Sequence, residues 1–226
     1  MCCKGGMRFL SLMLWDVRTG AARLWPAGAS LAGIYTAYWA VMFLMQAHAE
    51  PDDRLAVLFI TALIFAFGVP SAVYGYINDP SDGIGRTMLP VKAAVKFTVM
   101  LTVSAVIFPL CFYTGLHILD SLLTAAGGGR GFTYLIWETD EGVTFGSFCS
   151  DFSRICLYQS VFILGNILLR KHKVTLTVLA TLALHGIFMG LLHIDRSSTL
   201  YSLYSYAGPL LVWAFAYAAF RRMQFR

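Results

Sequence analysis

Residues 55–77 read LAVLFITALIFAFGVPSAVYGYI, with no charged side chain among them. Coiled as a helix at about 1.5 Å per residue, such a run crosses a hydrocarbon core of roughly 30 Å. A soluble domain could bury one helix of this kind, but the rest of the chain could not be hidden with it. Of its 226 residues 58% are hydrophobic and 13% charged, with a mean hydropathy of +0.68. Soluble domains hold about 45–50% apolar and about 25% charged residues. Too little charge remains to coat a water-facing surface. The expected class is therefore an all-α integral membrane protein, a single transmembrane domain over residues 1–226.

Working outward from that run, five more stretches have a similar character. They are residues 27–47 after Pro26, 97–119, 155–169, 174–194 and 200–220. Six transmembrane helices are predicted, bent in the second, third and sixth by Pro70, Pro109 and Pro209. Neighbouring helices or waters can then satisfy the backbone group that Pro70 leaves free. Residues 7–18, MRFLSLMLWDVR, are too short to span and predict a separate helix lying in the interface, with Trp15 at headgroup level. Residues 120–153, which include AAGGGRG, predict an extracytoplasmic connector.

The basic residues set the expected orientation. With both termini in the cytoplasm, 13 of 17 Lys and Arg side chains fall in inside segments and 9 of 12 acids fall outside. The positive-inside rule selects that arrangement, so both termini are expected on the cytoplasmic side of a prokaryotic cytoplasmic (inner) membrane. It also accounts for the net charge of +5. These residues are dispersed rather than gathered into a stripe, so nucleic acid is not an expected partner.

No HExxH, GxSxG or P-loop signature occurs. No catalytic, cofactor-binding or metal-ligating set is predicted, and any ATP hydrolysis belongs to another chain. No Asp, Glu, Lys or Arg falls at the middle of a predicted span. That argues against an ion-coupled path and suits a hydrophobic or amphipathic substrate. Tyr35, Tyr38, His185, Tyr201 and Tyr204 are the candidate substrate-path residues; an interfacial belt with ordinary helix packing is the alternative for the tyrosines. His185 and His193 are eight residues apart and fall within roughly 80° around a helix, which keeps an intramembrane haem or redox protein in view. The five cysteines form no CxxC pair; Cys111 reads as apolar filler, while Cys149 and Cys156 fall near one membrane face.

Residues 78–97, NDPSDGIGRTMLPVKAAVKF, are the longest polar passage in the first half of the chain. Pro90 suits a first helical turn, where its missing N–H costs nothing. Lys92 and Lys96 then fall one turn apart, positioned for anionic headgroups or for a partner protein. With six predicted spans and RTMLPVKAAVKF after the second, the chain resembles the membrane (permease) subunits of ABC-2-type transporters. Leu89, Pro90, Lys96 and Phe97 match that family's loop, whereas Lys92 and Ala93 stand where polar and basic residues are usual and Ala94 replaces another commonly charged position.

The resemblance implies an ATP-driven export subunit, working as a homodimer or paired permease. ATP and Mg would be held by a separate cytoplasmic ATP-binding subunit, which would dock on segments including 7–18 and 85–97. Trp15, Leu89, Pro90, Lys92 and Lys96 are then the candidate coupling residues. A non-transporting scaffold, immunity or accessory protein is the alternative from another class.

Overall fold

The computed structural model describes residues 3–45, 51–78, 91–127, 145–169, 173–191 and 199–223. Leu89 and Pro90, and residues 128–144 of the expected connector, lie outside the described residues, as do Cys2 and His193.

The architecture is all-helical. Helix α1 is Cys3–Leu44 and α2 is Pro51–Tyr74, which tightens into a 3₁₀ turn at Gly75–Asn78. Helices α3, Ala93–Leu101, and α4, Phe108–Ala126, are joined by a π-helical turn at Thr102–Ile107 into one rod. Helices α5, Phe145–Leu168, α6, Lys173–Leu191, and α7, Thr199–Met223, complete the bundle.

Two expectations are overturned here. Among the described residues three helices are long and apolar enough to cross a membrane, not six: Phe9–Leu44, Asp53–Tyr74 and Ala93–Ala126. The apolar stretches Phe152–Leu168 and Val174–Ala183 are shorter, below the roughly 20 residues that a bilayer core requires. Nor is there a separate interfacial helix over 7–18. That segment is the first third of α1, which runs unbroken through Pro26. The residues just before the proline, Ala21, Ala22, Arg23 and Leu24, are strong helix formers, and a proline in an apolar helix of this length removes one hydrogen bond without ending the helix.

Contacts at three levels fix the register of the first helices. A Cβ on Gly20 would touch Phe108 and Val73; one on Gly28 would touch Phe65 and Phe112; and Tyr35 meets Asp120 near Arg54. Helices α1 and α4 therefore rise together while α2 descends between them. Helix α5 packs on the far side of α2 and also holds α6 and α7. One core cluster surrounds Val69, Val73, Phe97, Val103 and Ile163; the second surrounds Tyr35, Leu58, Ala66, Tyr113 and Ile155.

The prolines explain how α5 is seated. Pro70 cannot donate to the carbonyl of Ala66, four residues back. Pro109 likewise cannot serve Ala105 and, in the wider π register, cannot serve Ser104, since Phe108 already donates to Val103. Side chains from α5 reach all three acceptors. The Gln159 carboxamide donates to Ala66 O at 3.1 Å and also to Ser104 O, and the Cys156 thiol faces Ala105 O at 3.6 Å. Gln159 is fully buried, where an unmet carbonyl would cost about 1–3 kcal/mol. One turn on, Phe162 stacks on Phe67 at 4.5 Å, and Asn166 exchanges hydrogen bonds with Ser71.

Candidate functional site

The most concentrated polar chemistry lies at the end of the bundle where α1, α2 and α4 meet. Arg54, in the first turns of α2, places Nη2 2.6 Å from Asp120 Oδ2 of α4, and both side chains are 1% exposed. Tyr35 donates to Asp120 Oδ1 at 2.7 Å and the Trp39 indole donates to the same oxygen at 3.0 Å. Arg54 also donates to Thr124 Oγ1, and Thr124 in turn donates to the Asp120 carbonyl. The guanidinium lies 4.6 Å from the centre of the Trp39 ring, a cation–π distance.

Helical spacing builds this knot. Tyr35 and Trp39, four apart, share a face of α1, and Asp120 and Thr124 share a face of α4. His117, one turn before Asp120, is buried with its ring edge-on to Tyr113 at 4.7 Å, and its Nδ1 has no hydrogen-bond partner among the described residues. Both charges of the pair are matched, so the knot is a lock holding three helices rather than an open reaction centre.

The opposite end has a smaller buried pair. Tyr74 donates to Asp16 Oδ2 at 2.9 Å, with both residues buried. The two polar layers stand roughly 28 Å apart along α1 at about 1.5 Å per residue, close to the thickness of a hydrocarbon core.

Between these layers, α1 and α4 stand apart along an apolar trough of about 420 Å³. Leu24, Trp25, Gly28 and Ala32 form one wall, Phe108, Cys111 and Gly115 the other, and the stacked Phe65–Phe112 pair the floor. A second recess of about 350 Å³, between Trp39, Phe43 and Leu123, continues the seam past the polar knot.

The residues singled out from sequence are distributed unevenly. Tyr35 is in the knot and Tyr38 packs beside it, with ring centres 6.3 Å apart. Tyr204 lies on α7, which packs chiefly on α5 and α3 rather than on α1, so the tyrosines do not form one slot. The side chains of His185 and Tyr201 are outside the described ones. Trp15 is 52% exposed on α1. Lys92 is exposed just before α3, whereas Lys96 is buried at 2% exposure, so the two lysines do not present one surface. Cys156 is a free thiol.

Sequence reasoning passed over Arg54 and Asp120 because both stand at the edges of apolar runs and were read as loop charges. The available signal was the opposite charges abutting Leu55 and Leu119, with Tyr35 and Trp39 spaced to meet them.

Compared with protein-family models, with curated proteins and with solved structures, the chain finds no match in any of the three.

Proposed function

We propose that the chain is a membrane-spanning subunit of an ATP-driven, export-type transporter for an amphipathic or hydrophobic substrate. ATP and Mg are bound by a separate cytoplasmic subunit, and a second copy or a paired permease completes the unit. The observation that carries this reading is the apolar seam between α1 and α4, which is open to one side along most of its length. A molecule that partitions into lipid can enter such a seam laterally, without desolvating a charged path. Support also comes from the Arg54–Asp120 pair, whose buried charges are matched to each other rather than open to an ion path. Lys92, exposed at the start of α3, is the described residue best placed to meet an acidic partner surface.

The test is affinity purification from the native cell in mild detergent, with mass spectrometry of the proteins recovered. A P-loop ATPase is expected, and Lys92→Glu should deplete it while the chain still reaches the membrane. Lys96 is unsuitable for this control because a charge reversal there would disturb the core. Absence of an ATPase in several detergents would overturn the export reading. The second reading, a non-transporting scaffold or accessory protein, would then take its place; the polar knot that fixes α1, α2 and α4 together is the observation that favours it.

A further inference from the structure

The base of the trough carries a feature that lateral entry alone does not require. Arg18, Ala21, Trp25, Gly28 and Ala32 recur at three- and four-residue steps, so they form one stripe along α1, with Trp15 one turn before Arg18. The upper members of this stripe line the trough. Its lower end is the exposed Arg18, with the 52% exposed Trp15 beside it, while Trp25, 75% exposed, stands about 10 Å farther along in the apolar wall. Tryptophan at the level of Trp15, beside the Asp16 layer, is the side chain that sits among headgroups, and Arg18 offers a planar fork of donors suited to a phosphate. The walls above have almost no polar surface, and about 420 Å³ lies within the range of roughly 300–1,000 Å³ typical of ligand sites.

We infer that the α1–α4 trough is a binding site for an anionic phospholipid, with one acyl chain between Trp25, Gly28 and Gly115 and the phosphate on Arg18 beside Trp15. The charge at one end and the apolar length beyond it select this occupant over a neutral lipid. The inference rests on the export reading only for calling this lipid a substrate; occupancy itself does not depend on a partner.

The experiment uses the full chain purified from nanodiscs containing equal amounts of palmitoyl-oleoyl phosphatidylglycerol and palmitoyl-oleoyl phosphatidylcholine, with native mass spectrometry of the retained lipid. Phosphatidylglycerol should be preferred about fivefold, the scale of one arginine at a membrane surface, and Arg18→Gln should abolish the preference. Gly115→Phe should remove the retained lipid altogether. A side chain there starts in open space, since a Cβ at Gly115 meets no atom within 4 Å.

A second readout needs no substitution in the trough. Cys111 is an exposed free thiol on its wall, and its alkylation by N-ethylmaleimide, followed by peptide mass spectrometry, should slow when phosphatidylglycerol is added and not when phosphatidylcholine is added. Equal retention of the two lipids, unchanged retention in Gly115→Phe, or a dimer that covers Cys111 without lipid would each overturn the proposal. Retained phosphatidylglycerol without any recovered ATPase would leave the site standing and remove the export reading; an ATPase without lipid selectivity would do the reverse.

Discussion

Helix α5 and helix α1 approach the α2–α4 pair from opposite sides and are held in opposite ways. On the α5 side, the carbonyls that Pro70 and Pro109 release are caught by Gln159 and Cys156, and Phe162 and Asn166 close the remaining contact. On the α1 side, the polar contacts are gathered near the two ends, at Asp16–Tyr74 and at the Asp120 knot, with the apolar trough between them. Hydrogen bonds shielded from water are costly to break, so the first seam is built to stay shut. The second is pinned by polar contacts near its ends and relies between them on apolar contacts alone, with the trough beside them.

The largest way to break this contrast is to cut the pin. Arg54→Met leaves Asp120 buried without its counter-charge and should destabilise the bundle by about 3–5 kcal/mol, read as a lowered Tm in detergent. The double variant Arg54→Met/Asp120→Leu should recover most of that loss, because neither charge is then stranded. If the single variant costs no more than the double, the knot is not an ion-pair lock.

A smaller loss tests the shut seam. Gln159→Leu leaves two proline-released carbonyls unmet and should cost about 1–3 kcal/mol per unsatisfied group at most. Faster hydrogen exchange around residues 66–70 and 104–109 should accompany it, with residues near Arg54 unaffected. Exchange that rises equally at both ends would mean that Gln159 acts through general packing instead.

Gly165 sharpens the comparison next. A Cβ there would run into the Thr177 side chain of α6, so Gly165→Val should force α5 and α6 apart at about 1–3 kcal/mol. The smallest effect is expected on the open side, where Gly115→Leu should change stability by about 0.5 kcal/mol or less. A large loss there would show that α1 and α4 close against each other more tightly than the trough implies.

Much of the fold was legible from residues 55–77 and their counterparts, because helix formation and partition into lipid depend on local composition. Counting spans was less secure. The apolar run of residues 155–169 is short in any reading, and Pro26 resembles a boundary until the helix formers before it are weighed. The Pro70 and Pro109 positions were visible, and a helix or a water was expected at the group that Pro70 frees; that Gln159 would serve both prolines was not. Lys96 read as a surface charge beside Lys92, yet the helix starts at Ala93 and turns Lys96 into the core.

The sequence by itself determined an all-helical, lipid-compatible chain with prolines at known places within its apolar runs and no recognised catalytic signature. Those properties follow from single residues and short periods. Tertiary structure alone decided that Arg54 finds Asp120 across 66 residues, that Gln159 bridges carbonyls 93 and 55 residues away, and that α1 stands off from α4 to leave a trough. A charge at the edge of an apolar run looks the same whether it faces water or a counter-charge. The difference is made only when helices with no local reason to meet are packed together and the cost of desolvation forces their polar groups to pair.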